Sequence, residues 1–288
     1  MTSDSDNGNK PAVKFVTPQV SRIKASGPIL LLAVLFVVGS FLAWYFTWFG
    51  RELSDADVSK YLSESDKPRH VQHALLQIQQ RIERGDSTAT AWYPQVVKLA
   101  DNPETEFRLT VAWLMGFDNQ SPEFHGALLK LVKDQQPVVR RNAALALVRF
   151  NDPAGHDEII GALRPFEVAS PVAGKVASTL KDGSNLARGT LVARIEQTDH
   201  SLVEIRSPLP GKVLRVLAPL GTDVGANQTL LTINPDEDTV WESLRALSVI
   251  GKREDLSSIE PFARGEVSVS ERVKQQAAVT VNAINSRK

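Results

Sequence analysis

Residues 170–233 carry one short phrase twice, and few folds are open to a chain that repeats a turn-rich, apolar-alternating pattern this closely. The first copy reads Ser170-Pro171-Val172-Ala173-Gly174-Lys175-Val176, then Asp182-Gly183-Ser184-Asn185-Leu186, then Gly189 to Ile195. The second reads Ser207-Pro208-Leu209-Pro210-Gly211-Lys212-Val213, then Leu220-Gly221-Thr222-Asp223-Val224, then Asn227 to Ile233. Throughout 166–235, Val, Ile, Leu and Thr alternate with polar residues, and Gly or Pro returns every few positions. That pattern predicts short strands joined by tight turns. Two β copies in sequence predict two interlocking halves of a flattened barrel with pseudo-twofold symmetry.

The flanks have a helical period. Val71, Ala74, Leu75, Ile78 and Ile82 follow the i, i+3, i+4 spacing of an amphipathic helix. Trp92, Val96, Val97 and Leu99 mark a second helix, and Phe107 to Met115 a third. Phe124 to Val132 and Val138 to Val148 continue the series, with Pro103, Pro122 and Pro153 in the intervening turns. Arg108, Leu114, Phe117 and Asp118 match Arg141, Leu147, Phe150 and Asn151 at one offset. Self-similarity with two helices per unit predicts an α-solenoid, an ordinary helical bundle being the alternative. Pro137 to Leu147 resembles the second helix of a HEAT-type repeat. Helices resume at Val240, Leu244 and Leu247, then at Leu256, Ile259 and Phe262, then at Val273, Ala277 and Ile284 with Ser270 as cap. Ala154–Arg164 reads as a first helix and Asp238–Gly251 as its second, so the β segment is expected in the turn of one repeat, where insertions are tolerated.

From Ala25 to Gly50 there is no charged side chain. A membrane-spanning helix needs about 20 apolar residues, and this run supplies them. Trp44, Tyr45 and Trp48 cluster at one end, where amphipathic rings favour the headgroup layer. The run is too long for a signal-peptide core, and no small-x-small site follows the aromatic cluster. Lys14, Arg22 and Lys24 precede it, while Arg51 and Lys60 follow among Glu52, Asp55 and Asp57. The basic bias places the N-terminus in the cytoplasm and the body outside it, the arrangement of a single-pass bacterial inner-membrane protein with a periplasmic body.

The expected fold class is therefore multidomain α + β. A polar disordered tail (1–24) leads to a single transmembrane helix (25–50) and an acidic linker (51–69). A HEAT-like α-solenoid (70–165) follows, then an inserted all-β domain (166–235) and C-terminal HEAT-like helices (236–288).

The β segment resembles the biotinyl/lipoyl-type domain, or barrel-sandwich hybrid. The resemblance rests on the Ser-Pro-x-x-Gly-x-Val openings and the Asp182 to Gly189 turn. In carriers of that family a lysine on the hairpin between the halves is biotinylated or lipoylated. The equivalent hairpin here contains Thr198, Asp199, His200 and Ser201, and no lysine occurs between Asp182 and Gly211. Imidazole cannot replace the amine that forms the amide, so the resemblance implies a module that has lost its swinging arm and holds no cofactor. Lysine-free modules of this kind also occur in membrane fusion proteins, the periplasmic adaptors of export pumps. Those adaptors split the halves with a long coiled coil and carry a further β-barrel, and neither pattern is present here.

Catalytic signals are sparse. The 33 basic and 33 acidic side chains balance, which removes a long-range pull on nucleic acid. Without cysteine, disulfides and thiolate metal sites are excluded. His70 and His73 have helical spacing but no third ligand, and read as a solvated face. His156-Asp157-Glu158 reads as a helix start, His125 as an ordinary helical residue, and His200 as an exposed turn residue. No nucleotide loop, nucleophile elbow or zinc-protease motif is present. The expectation is a non-enzymatic scaffold with no catalytic or metal residues. It meets protein partners in a membrane complex and the bilayer through 25–50, and homo-oligomerisation is left open. The alternatives are an adaptor subunit of an export or secretion system and, lacking its lysine, a biotin- or lipoyl-type carrier.

Overall fold

The computed structural model describes residues 27–47 and 52–287. The polar tail, the ends of the apolar run with Trp48, and Lys14, Arg22, Lys24 and Arg51 lie outside the described residues. The chain divides after Glu52 into two units. In the first, α1 (Gly27–Thr47) is an uninterrupted helix. Its 19-residue stretch Gly27–Tyr45 is long and apolar enough to cross a membrane. Phe41 packs on Trp44 and Tyr45, with ring centroids 5.9 and 6.4 Å apart.

The second unit begins with helix pairs. They are α2 (Asp55–Ser63) with α3 (Pro68–Glu83), α4 (Tyr93–Leu99) with α5 (Thr105–Met115), and α6 (Pro122–Leu131) with α7 (Pro137–Arg149). Next, α8 (His156–Gly161) pairs with α9 (Glu237–Ile250), and α10 (Leu256–Ala263) with α11 (Glu271–Ser286). The second helices pack in one row, α3 on α5, α5 on α7, α7 on α9 and α9 on α11. Apolar faces explain the stacking: Val71, Leu75 and Ile78 of α3, Val111 and Leu114 of α5, and Val139, Ala143 and Leu147 of α7 are all buried.

Two readings of the sequence need correction here. The segment taken as an acidic linker holds α2. Ser54 caps it, its hydroxyl accepting from Asp57 N at 3.2 Å, and Asp55 and Asp57 suit the positive helix start. Val58 and Leu62 are buried against α3, where only a few apolar residues were needed in an otherwise acidic stretch. The second concerns the arginine match. Arg108 donates to Asn102 O and Pro103 O, 2.9 and 2.8 Å away, and Arg140 donates in the same way to Asp134 O and Gln135 O at 3.0 and 3.2 Å. Arg140, not Arg141, is thus the structural counterpart of Arg108. Both arginines stand fourth in helices whose starts are 32 residues apart, so a match at an offset of 33 falls one residue too far.

Eight strands occupy the connection between α8 and α9. They are β1 (Phe166–Ala169), β2 (Gly174–Thr179), β3 (Asn185–Leu186), β4 (Leu191–Glu196), β5 (Leu202–Arg206), β6 (Gly211–Val216), β7 (Asp223–Val224) and β8 (Thr229–Asn234). They form two antiparallel sheets, ordered β1-β8-β6-β3 and β5-β4-β2-β7. Advancing each strand by four places converts one order into the other, so each half of the repeat lends strands to both sheets. The hydrogen bonds repeat with it. Ser170 Oγ donates to Val172 O and Ser207 Oγ to Leu209 O, both at 2.6 Å. Gly221 N donates to Val176 O and Gly183 N to Val213 O, both at 2.8 Å. Val176, Ile195, Val213 and Ile233 form the shared core.

Candidate functional site

Among the described residues, the β4–β5 hairpin, the histidines, a groove on the second-helix row and a cavity beside it offer groups able to do chemistry or make contacts.

The hairpin closes through Gln197 N donating to Ser201 O at 2.9 Å. His200 sits at its tip with φ 63°, in the left-handed region. The side chains satisfy one another. His200 Nδ1 lies 2.8 Å from Glu196 Oε1, and Ser201 Oγ donates to Asp199 Oδ1 at 2.6 Å. The Ser201 hydroxyl and amide hold the Asp199 carboxyl below the usual carboxylate range. Thr198, Asp199, His200 and Ser201 thus form a compact polar tip without a primary amine.

The histidines depart from their sequence reading. His73 is buried, whereas His70 keeps 39% of its side chain exposed while it stacks on Tyr61, with centroids 4.2 Å apart, and bonds Glu64, so the face is packed at one histidine and partly solvated at the other. The apolar ring of Tyr61 covers them, which a polar helix start conceals. The hydrogen bond from His70 draws the Glu64 carboxyl below its ordinary value. His156 does more than open α8: it is buried, and its Nε2 lies 2.7 Å from Asp255 Oδ2. Nor is His125 an ordinary helical residue, since its Nε2 lies 2.6 Å from Asp152 Oδ2. Among the described residues, no group of three or more His, Asp or Glu could hold a metal ion.

The groove crosses α5, α7 and α9. It has a volume of about 300 Å³ and is walled by Trp113, Leu145, Val148 and Val249 between Arg149 and Arg245. Trp113 of α5 is 46% exposed and Val249 of α9 50%, and both line the one groove. Trp113 stands edge-on to Phe117 at 4.6 Å, and Arg149 lies over that same ring at 4.8 Å. The rim arginines are therefore pre-set by aromatic faces. A smaller cavity of about 190 Å³ adjoins the groove through Asn142, Leu145 and Glu242. It lies where α7, α8 and α9 meet the Leu209–Pro210 turn of the β segment. Arg141 lines it. Sequence patterns could not find either feature, because α7 and α9 are separated by the whole β segment. The only sequence signal was an apolar Trp113 on a face that solenoid periodicity would leave outward.

Comparisons with known proteins agree with the helical part. Residues 93–164, covering α4 to α8, match the HEAT repeat family. A search of curated proteins gave no match. Among solved structures, that of a single-chain, multi-domain long-chain acyl-CoA carboxylase is similar over 41% of this chain, at 17% identity and a TM-score of 0.24. The chain spans 12% of that structure's length.

Proposed function

We propose that this protein is a membrane-anchored, non-enzymatic scaffold that holds a protein partner on its row of second helices. The exposed apolar groove across α5, α7 and α9 is the observation that carries this reading. HEAT repeats commonly mediate protein contacts, and repeat arrays use such extended faces for them. α1 supplies a single-pass anchor, with the N-terminus cytoplasmic and the body periplasmic in a bacterial inner membrane. The eight strands are read as a biotinyl/lipoyl-like flattened barrel that serves as a packing module. Their exchanged halves and the lysine-free hairpin favour that reading.

The test is affinity capture from detergent-solubilised membranes with the full chain as bait. A defined partner should be recovered, and Trp113→Ala with Val249→Asp should abolish recovery while leaving the melting temperature unchanged. Recovery of the chain alone as a monomer, or equal capture by the double variant, overturns the reading. An export-adaptor subunit is the second reading, favoured by the pairing of an N-terminal apolar helix with a lysine-free duplicated β segment. A topology reporter fused after Lys288 that signals from the cytoplasm excludes it.

A further inference from the structure

α11 is the last member of the second-helix row, and its two sides differ. Val273, Ala277 and Ile284 are buried against α9 and α10, and Thr280 Oγ1 donates to Leu244 O at 2.8 Å. On the other side Gln275, Ala278, Val279, Asn282, Asn285 and Ser286 are exposed, at the spacing of one helix face. Val279, in the middle of that stripe, is 55% exposed. From Gln275 to Ser286 there is no charged side chain. Exposed positions of α7 and α9, by contrast, carry Arg149, Glu242 and Arg245. The outer face of a terminal repeat must stay soluble. Amides achieve that here without charge, and an amide, unlike a charge, is cheap to bury once it is paired.

The stripe reads alike in both directions. Ala278 and Val279 stand at its centre. Three residues out on either side are the amides Gln275 and Asn282, and seven out are Glu271 and Ser286, with Arg287 next. A second α11 turned end over end therefore sets Ala278 against Val279, Gln275 against Asn282, and Glu271 beside Arg287. Each amide carries donors and an acceptor, so Gln275 and Asn282 satisfy one another in that register. A patch that matches its own reverse is what a twofold contact requires.

We propose that α11 is a self-association face, packing antiparallel on α11 of a second copy of this chain about a twofold axis at Ala278 and Val279. A strongly acidic or basic partner would find no counter-charge between Gln275 and Ser286, whereas a second copy needs none. One pair of 16-residue helices buries less than the roughly 1,200 Å² of a standard interface, so the contact is weak in solution. Holding both copies in one bilayer through α1 raises their effective concentration and favours it. The contact is independent of the groove reading, because no residue of α11 lines the groove.

The chain has no cysteine, so single cysteines report the contact cleanly. In membranes from cells expressing the full chain, oxidation of Val279→Cys with copper phenanthroline should give a covalent homodimer, because the two thiols meet at the axis. Gln275→Cys alone should not, since its two copies lie about 10 Å apart along the helices, beyond the roughly 7 Å between Cα atoms that a disulfide spans. Co-expressing Gln275→Cys with Asn282→Cys should restore the cross-link. All three positions are exposed, and an unchanged circular dichroism spectrum and melting temperature identify folded variants. Should Val279→Cys misfold, the mixed pair carries the test. A folded Val279→Cys chain that gives no homodimer, Gln275→Cys that links to itself as strongly as Val279→Cys, or a mixed pair that gains nothing overturns the proposal. A Val279→Cys chain that links only to a different protein assigns the face to that partner and likewise overturns it.

Discussion

His156 and Asp255 are 99 residues apart in the chain, and His156 Nε2 lies 2.7 Å from Asp255 Oδ2. Both are buried, and Asp255 also accepts from Lys252 N at 2.7 Å. The contact joins the start of α8 to the turn before α10, spanning the β segment from outside. Burial disfavours the imidazolium, but the hydrogen bonds to Asp255 and Asp157 outweigh it and raise the His156 pKa. A raised histidine pKa gives stability that is fully present below the unfolded value, about 6.5, and is lost as pH rises through the folded value. The melting temperature should therefore fall as the buffer is taken from about pH 6 to pH 8, and His156→Gln should flatten that slope. A wild-type slope of opposite sign, or one unchanged in the variant, refutes the assignment.

Arg108 makes the firmest link between neighbouring repeats. Its Nε and Nη2 donate to the two oxygens of Asp134, at 2.7 and 3.2 Å, while Nη1 satisfies two carbonyls of its own turn. Removing one partner of a partly buried pair strands the other, so Arg108→Ala should cost about 2–4 kcal/mol in urea denaturation. Arg108→Lys should recover little of it, because an ammonium cannot span both oxygens. Burial raises the Asp134 pKa, but hydrogen bonds from Arg108 and Gln136 N overcome that and lower it. A depressed carboxylate pKa stabilises above the unfolded value of about 3.9 and stops doing so as pH falls through the folded one. Arg108→Ala should accordingly lose part of the acid-unfolding response of the wild type.

Gly174 and Gly211 hold matching places in the two halves. A Cβ on Gly174 would press on Glu196 O and lie 2.7 Å from Ile195 Cγ2. On Gly211 it would press on Asn234 O and lie 2.8 Å from Ile233 Cγ2, at a backbone φ of 151°. Each glycine opens a strand, β2 or β6, that pairs antiparallel with the last strand of its own half, β4 or β8. Gly174→Ala and Gly211→Ala should each destabilise by about 2 kcal/mol or more in denaturant titrations. Equal stability of either variant with wild type would show that the backbones do not approach this closely.

Periodic features were legible in the sequence and distant ones were not. The apolar run at α1 announces itself because its residues are contiguous. Val139, Ala143 and Leu147 reveal a repeat helix because their spacing is the physical cause of its burial. Ser170 and Ser207 mark the doubling because both hydroxyls close the same turn. By contrast, α2 was hidden, since its few buried residues are surrounded by acids that also suit a linker. Arg140 was passed over for Arg141, because the helix starts are 32 residues apart while the leucine and phenylalanine matches further on repeat at 33. The His156–Asp255 contact, the groove and the Arg141 cavity depend on residues brought together only by closing the helical row around the β segment. No local pattern encodes that closure.

The hairpin tip yields the last prediction. Carriers need an exposed lysine amine at such a tip, whereas His200 stands there with its ring held toward Glu196. Expressed with biotin and lipoate ligases, the chain should keep its unmodified intact mass. A negative result alone could mean that the ligases fail to recognise the fold. His200→Lys separates the two causes, because it places an amine at the tip at the modest cost of a lysine in the left-handed region, about 1 kcal/mol. Mass gained by His200→Lys but not by wild type would support the biotinyl/lipoyl-like reading of the β segment and show that the wild-type tip lacks only the amine. Mass gained by the wild type would mean that another lysine is the acceptor, and the non-carrier reading of the β segment would fall.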